Sequence, residues 1–179
     1  MSPRDGSRPP APHPLPVEVM DNHTHLDGES APSEVAALLA AAAAAGVARS
    51  VQIGCDLPAA RWTVAALDVY PQLLGGVAIH PNDAAALASA GELDAALAEI
   101  RDLAAHPRVR VVGETGLDYF RTGPDGVAGQ QESFRAHIAM AKDLGLVLQI
   151  HDRDAHDDVL RILAEEGAPE KTVFHCFSG

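Results

Sequence analysis

The sequence predicts an α/β fold built around a parallel β-sheet. From residue 17 onward, short β-branched runs alternate with helical patterns, which is typical of right-handed βαβ units. Gly46, Gly145 and Gly167 stand just past three of the helical patterns, where a left-handed residue commonly ends a helix. Several runs also end directly in a histidine or a carboxylate, as expected where strand ends form an active site.

Six strands and five helices are expected. The predicted strands are Val17–Met20, Ser50–Ile53, Leu74–Ile79, Val109–Gly113, Leu146–Ile150 and Thr172–Phe174. The predicted helices are Glu34–Ala45, Pro58–Val69, Leu93–Ala105, Gln130–Leu144 and Ala155–Glu166. A chain of 179 residues is short for an eight-stranded barrel, which takes about 250 residues. Length alone therefore favours an open, doubly wound sheet, whereas the placement of the ligating residues favours a barrel.

The composition is that of an acidic globular domain. Apolar residues make up 47% of the chain, enough for a core of useful size. The net charge of −12 argues against a surface that binds nucleic acid by phosphate neutralisation alone. It does not exclude a nucleic-acid substrate, because two bound divalent cations would add about +4 where a phosphate must sit.

The start of the chain differs from the rest. Residues 1–18 contain six prolines and no apolar segment of the signal-peptide type, so we expect a disordered, Pro-rich extension ahead of a single domain at 19–179. The longest apolar run is too short to span a bilayer, and no membrane partner is expected. Cys55 and Cys176 form no CxxC pair, which makes a cytoplasmic location the simplest interpretation. The sequence does not indicate an oligomeric state.

Two histidines stand two residues apart after the first predicted strand, in MDNHTHLDG. Alternate residues of a strand point to the same side, so His23 and His25 can bind one divalent ion together. For this motif alone, a pair of surface histidines in a loop is the alternative.

Four later runs also end in a polar group. They are IHPND with His80, VGETGLDYF with Glu114, IHDRDA with His151 and VFHCFSG with His175. The carboxyl ends of parallel strands share one edge, so these groups should gather there. Several histidines with a carboxylate suit Zn, Mn, Co or Fe and, with more oxygen ligands, Mg. A divalent-metal site is therefore the strongest prediction from the residues.

Five motifs together resemble those of a known family. HTHLD, AIHPND, GETGLDYF, IHDRDA and HCFSG are similar, in order and spacing, to motifs of the TatD family of metal-dependent deoxyribonucleases, within the amidohydrolase-type metal hydrolases. The resemblance runs from about Val19 to Gly179. It implies a TIM-type (β/α)8 barrel, incomplete in this chain, in place of the open sheet. It also implies hydrolysis of phosphodiester bonds in DNA by a water activated between two metal ions.

The resemblance implies a role for each metal ligand. His23 and His25 would bind a first cation. Glu114 would bridge it to a second and serve as the catalytic carboxylate, and His151 and His175 would complete the second site. The two cations would be Mg²⁺, Mn²⁺ or Zn²⁺.

Two further positions match family residues that face the substrate. Arg153 would bind a DNA phosphate through its guanidinium, and His80 would line the same pocket. The alternatives are a surface ion pair of Arg153 with a neighbouring aspartate and a capping role for His80 beside Pro81.

Members of the family extend further and supply a late Asp to the first metal. We therefore expect this chain to be the N-terminal portion of such a barrel, and the 179 residues alone to have little activity. Two other functions stay open. One is a metal hydrolase acting on an amide, ester or phosphotriester bond, and the other is a metal-binding fragment without catalysis.

Overall fold

The computed structural model of the protein describes residues 12–28 and 31–177. The elements in chain order are β1 (Val19–Thr24), α1 (Pro32–Ala44), β2 (Val47–Gly54), α2 (Leu57–Val69), β3 (Leu73–Val77), α3 (Pro81–Ala90), α4 (Leu93–Ala104), β4 (Val109–Asp118), a short 3₁₀ helix (Pro124–Gly126), α5 (Val127–Leu144), β5 (Val147–Arg153), α6 (His156–Glu166) and β6 (Thr172–Phe174). None of these helices combines the length and apolarity needed to cross a membrane.

All six strands form one parallel sheet in the order β1-β2-β3-β4-β5-β6. An open doubly wound sheet reverses its strand order at a switch point, whereas here each strand follows its predecessor throughout the described range. The sheet is also curled, because Gln149 on β5 bonds His23 on β1 at 2.8 Å across three intervening strands. The fold is an incomplete TIM-type barrel, as the resemblance implies.

Side chains alternate between the two faces of the sheet. Leu148 and Ile150 of β5 join the main core beneath the helices. Val51 and Ile53 of β2 instead form a small second cluster with Val111 of β4, on the inner face of the curl. The helices therefore cover the outer face, and the inner face leads to the ligating residues.

The helix ends combine one side-chain cap with the glycines that the sequence predicts. Asp56 accepts a hydrogen bond through Oδ1 from the Ala59 amide at 2.7 Å, where α2 begins. Gly145 ends α5 in the left-handed conformation with φ 65°. Gly46 and Gly167 also have positive φ, so all three glycines stand where their conformational freedom is needed.

The structure corrects two details of the predicted elements. Helix α3 is absent from the prediction, because its alanine-rich sequence has no clear apolar period, although Pro81 at its first position is a start signal. Six α-helices thus accompany the strands in the described part of the chain, not five. Strands β1, β4 and β5 also run past their predicted ends, so His23, Glu114 and His151 lie within strands.

The predicted extension falls only partly within the described residues. Residues 1–11 lie outside them, and disorder of residues 1–18 stays a prediction. Nearer the domain, the Leu15 amide donates to the Ala45 carbonyl at 3.0 Å. Residues just before β1 therefore contact the end of α1.

His137, which no sequence motif singles out, is a core residue. It is fully buried on α5. Its Nδ1 donates to the Ser133 carbonyl at 2.7 Å and its Nε2 accepts from the Ile79 amide at 3.2 Å. Both nitrogens of a neutral ring are thus satisfied, and burial lowers the pKa of His137 to about 4.

The burial of a neutral His137 predicts loss of stability in acid. The unfolded chain takes up a proton near pH 6.5, whereas the folded ring does so only near pH 4. The contribution is fully present above pH 6.5 and is lost as the pH falls toward 4, so His137 should lower the free energy of unfolding by about 2 kcal/mol at pH 5 relative to pH 7.5. Urea unfolding of His137→Gln across this range should show a shallower pH dependence than the parent chain. His13→Gln, at an exposed position, is the control, and equal slopes in all three proteins would refute the assignment.

Candidate metal centre

The ligating residues predicted from the sequence lie together at the carboxyl ends of the strands. Among the described residues, the donor atoms of these and neighbouring side chains form three groups within which all atoms are 4.8 Å or less apart, and Glu114 belongs to every group. The groups are His23, Glu114 and His175; His25, Cys55 and Glu114; and His80, Glu114 and His151.

Glycines let β4 approach β5 closely beside Glu114. A Cβ on Gly113 would stand 2.7 Å from the Gln149 Cβ, and a Cβ on Gly116 would stand 2.1 Å from the His151 carbonyl oxygen. Gly116 also has φ +138°, a region that other residues rarely adopt. The motif GETG thus places Glu114, which is only 6% exposed, against the inner side chains of β5.

The Nε2 atoms of His23 and His25 face each other, and the hydrogen bonding leaves both without a proton. The Nδ1 of His23 bonds Gln149 Oε1 at 2.8 Å, and the Nδ1 of His25 bonds the Ile53 carbonyl at 3.0 Å. Since both partners are acceptors, the hydrogen bonding assigns the ring proton to Nδ1 in each case. The two Nε2 atoms, 3.0 Å apart, both carry lone pairs. Nitrogens that share a tetrahedral ion lie ~3.3 Å apart for bonds of ~2.0–2.1 Å, so the pair fits a cation.

The electrostatics of His23 agree with this fit. Burial lowers the pKa of His23, a shift that its bond to Gln149 only partly offsets. A neutral imidazole is the form that binds metals. His23 also lies 3.5 Å from Glu114, measured from Nε2 to Oε2.

Glu114 remains ionised although it is buried. Burial raises its pKa, but the hydrogen bond and charge of His151 outweigh burial and bring the pKa below its ordinary value. His151 contacts Glu114 Oε1 through Nδ1 at 2.7 Å and Asp118 Oδ2 through Nε2 at 3.1 Å. The two carboxylates raise the pKa of His151 despite its burial. A positive charge between Glu114 and Asp118 is therefore stabilised here, as a bound cation would be.

In His80 the ring proton is on the other nitrogen from that in His23 and His25. Its Nδ1 accepts a hydrogen bond from the Asn82 amide at 3.3 Å, and it caps α3. Burial, with the nearby charge of His151, lowers the pKa of His80 to about 4. The neutral ring must therefore carry its proton on Nε2, which makes it a hydrogen-bond donor. This state suits contact with a substrate better than metal ligation, and the capping role coexists with it.

His175 lies beside a residue of the first implied site, whereas the resemblance assigns it to the second. The ring of His175 stacks on His23 with 3.5 Å between centroids, whereas the ring of His80 stands edge-on to His151 at 4.5 Å. His175 thus lies nearer to the HxH pair than the implied second site suggests.

A cleft of about 430 Å³ opens beside Glu114 and His151. Arg153 lines it, with its guanidinium 3.9 Å from the centroid of the Phe120 ring. The neighbouring Asp152 bonds His156 at 2.7 Å instead. The Arg153 guanidinium therefore packs on the Phe120 ring at the cleft, and its N–H groups can reach a ligand bound there.

Gln149 is a supporting residue that the sequence analysis does not identify. It is 2% exposed, and while Oε1 accepts from His23, its Nε2 donates to the Asn22 carbonyl at 3.1 Å. A glutamine inside the apolar run VLQIH, two residues before His151, is the signal that could have revealed it. It fixes the ring of His23 and holds β1 against β5.

Asp118 is a buried carboxylate that orients His151. It is 1% exposed, accepts from the Arg121 amide at 2.9 Å and contacts the ring of His151. Its own amide donates to Gln130 Oε1 at 2.8 Å. Burial raises the pKa of Asp118, but the hydrogen bonds from Arg121 and His151 bring it below the ordinary value.

Cys55 also reaches the cluster, although no sequence motif marks it as a site residue. Its Sγ lies 4.0 Å from Glu114 Oε2. Burial, followed by the charge of Glu114, raises the pKa of the thiol to about 12. Cys55 thus reaches the centre of the cluster as a protonated thiol.

Comparison with known proteins decides the family. The sequence profile of the family described as TatD related DNase matches residues 20–179. The chain belongs to this family. The matched range includes every residue of the cluster.

Curated TatD relatives share much of the chain. A Mycobacterium tuberculosis protein named uncharacterized metal-dependent hydrolase TatD is 45% identical over 166 residues, which cover 89% of this chain and 61% of the relative. A metal-dependent hydrolase, YabD, from Bacillus subtilis is 37% identical over 163 residues, covering 90% and 61%. A protein from Musicola paradisiaca named 3'-5' ssDNA/RNA exonuclease TatD is 39% identical over 103 residues, covering 56% and 36%. The chain therefore spans about three fifths of the length of the first two relatives.

The same likeness appears in solved structures. The crystal structure of YJJV, a TatD homologue from Escherichia coli, superposes with a TM-score of 0.78 at 26% identity, over 89% of this chain and 60% of that one. A TatD family hydrolase from Entamoeba histolytica gives a TM-score of 0.76 at 21% identity, over 90% and 59%. The family and the fold thus agree. The ligand roles of the individual side chains stay predictions.

Loss of the Gln149 acceptor should weaken metal binding. In Gln149→Leu the ring of His23 loses the partner that fixes its tautomer, and removal of such a partner typically costs 10–100-fold in metal affinity. Calorimetric titration with Mn²⁺ or Zn²⁺ measures the change. Gln131→Leu, which removes bonds to Tyr119 and Asp158 outside the cluster, should bind as the parent does. Unchanged affinity in Gln149→Leu would show that the His23 ring needs no such support.

Proposed function

We propose that the protein is a divalent-metal-dependent hydrolase that cleaves phosphodiester bonds of DNA. The observation that carries the proposal is the position of Glu114, one buried carboxylate shared by three groups of donor atoms. A carboxylate surrounded in this way suits a bridge between two cations. The metal-dependent hydrolases among the relatives support the choice of chemistry.

The chain's own residues prepare the site for cations. His23 and His25 offer paired lone pairs, and Glu114 offers one oxygen to them and the other to His151. His151 must release its proton to solvent before it can donate a lone pair, and Asp118 then keeps the ring in place through its second nitrogen. When bound, two divalent ions supply charge neutralisation and an activated water.

The cleft supplies donors for a phosphate. Arg153 provides a guanidinium, whose fork matches phosphate oxygens, and His80 provides an Nε2 proton from a ring that stays neutral. Arg121 lines the same cleft. These positive and donor groups, together with bound cations, offset the net charge of −12 at the place where the substrate must bind.

Nucleic acid is the substrate class that the relatives favour. Proteins from Musicola paradisiaca and Klebsiella pneumoniae carry the name 3'-5' ssDNA/RNA exonuclease TatD. The metal groups alone do not choose between a phosphodiester and an amide, ester or phosphotriester bond. A panel of oligonucleotide, bis(p-nitrophenyl) phosphate, p-nitrophenyl acetate and an aryl phosphotriester separates these classes.

The central test is the isosteric variant Glu114→Gln. Removal of the shared charge should weaken divalent-ion binding by at least about 100-fold, the upper end of what loss of even an outer partner costs. Arg153→Ala should keep the metal and raise the KM for an oligonucleotide by about 10–100-fold, the worth of a charged hydrogen bond to phosphate. Arg49→Ala, near the opposite end of β2, is the matched control. Metal analysis after dialysis and cleavage of end-labelled DNA with Mn²⁺ provide both measurements.

DNA cleavage should be measured with two forms of the protein. One is the 179-residue chain, and the other joins it to the part of the Mycobacterium tuberculosis relative that it does not cover. Cleavage of DNA by the joined form, abolished by Glu114→Gln, is the expected result. Retention of both ions and full turnover in Glu114→Gln would overturn the bridging role, and cleavage of the ester or phosphotriester alone would overturn the substrate class.

A further inference from the structure

The thiol of Cys55 lies beside the Glu114 carboxylate oxygen that His151 does not contact. His151 bonds Oε1, whereas the Cys55 Sγ and the His23 Nε2 face Oε2, at 4.0 and 3.5 Å. The donor atoms of His25, Cys55 and Glu114 lie within 4.8 Å of one another. One imidazole, one thiol and one carboxylate thus lie close enough together to share one ion.

The fold holds this thiol in position. Cys55 continues the inward-facing alternation of Val51 and Ile53 and packs against their cluster. Its carbonyl accepts from the His80 amide at 2.8 Å. The Ile53 carbonyl, two residues earlier near the end of β2, accepts a hydrogen bond from the ring of His25. His25 and Cys55 are therefore positioned by one short segment of backbone.

The distances suit a shared ion. A sulfur at ~2.3 Å and an oxygen at ~2.1 Å from a tetrahedral cation lie ~3.6 Å apart. The Cys55 Sγ and the Glu114 Oε2 are 4.0 Å apart, a separation that a small movement of either side chain would close. Imidazole, thiolate and carboxylate together are ligands of Zn²⁺, whereas Mg²⁺ and Mn²⁺ prefer oxygen ligands.

We propose that Cys55 is a thiolate ligand of the cation held by His25 and Glu114, and that it makes this position selective for thiophilic metals. The inference rests on the proposed metal centre and adds a ligand and a metal preference to it. On binding, the S–H bond breaks, the sulfur lone pair forms the bond to the cation, and the proton passes to solvent. No oxidation state changes.

Cobalt titration provides the test, because a cobalt–thiolate bond absorbs in the near ultraviolet and nitrogen or oxygen ligands do not produce this band. The chain has two cysteines, and Cys176 is exposed, so Cys176→Ser is the matched control. Titration with Co²⁺ should produce the band in the parent chain and in Cys176→Ser but not in Cys55→Ser. Zn²⁺ affinity should fall by at least about tenfold in Cys55→Ser, while Mn²⁺ affinity changes less than about threefold.

A second measurement avoids any effect of Cys55→Ser on folding. In Cys176→Ser the remaining thiol is Cys55, and its reaction with a thiol reagent should be slowed at least tenfold by Zn²⁺ but not by Mg²⁺. Cobalt binding without the band, or labelling that Zn²⁺ does not slow, would overturn the role of Cys55 and leave the metal centre standing. A parent chain that binds no Co²⁺ would overturn the metal centre as well.

Discussion

The buried negative charge of Glu114 determines which side chains must surround it in this incomplete barrel. An ionised carboxylate with 6% of its surface exposed is costly unless positive or hydrogen-bonding groups surround it. Histidines from β1 and β5 meet it on either side, and Asp118 stands behind His151 as a second carboxylate. The pKa of His151 is raised between the two carboxylates, whereas burial lowers the pKa values of His23 and His80, so the cluster has more negative charge than these rings can offset. A metal centre would offset this charge directly.

The topology is what makes such a cluster possible. Strands that follow one another in chain order curl the sheet, so that β1 and β5 face each other across its interior and Gln149 can reach His23. Gly113 and Gly116 allow β4 and β5 to approach where a side chain would clash. The outer core of Leu148 and its neighbours against the helices supplies the rigidity that a preorganised site needs.

Much of this could be predicted from the sequence because the signals are local. The alternation of strands and helices, the glycines after helices and the polar groups at strand ends each depend on a few consecutive residues. Helix α3 escaped prediction because alanine gives no apolar period, and His137 because burial depends on distant partners such as Ile79. Cys55 and Gln149 escaped for the same reason. Each acquires its role only when the curled sheet brings Glu114 or His23 within reach.

The ring assignments separate two kinds of histidine that look alike in the sequence. His23 and His25 give their Nδ1 protons to acceptors and keep Nε2 free, whereas His80 accepts at Nδ1 and presents a proton. The first state suits a metal ligand, and the second suits a contact to a substrate oxygen.

Anomalous diffraction from crystals soaked in Mn²⁺ or Zn²⁺ tests the central claim, that Glu114 is shared by two cations, most directly. We expect two peaks, both in contact with the Glu114 carboxylate and about 3.5–4 Å apart, and a single peak, or peaks remote from Glu114, would contradict the account.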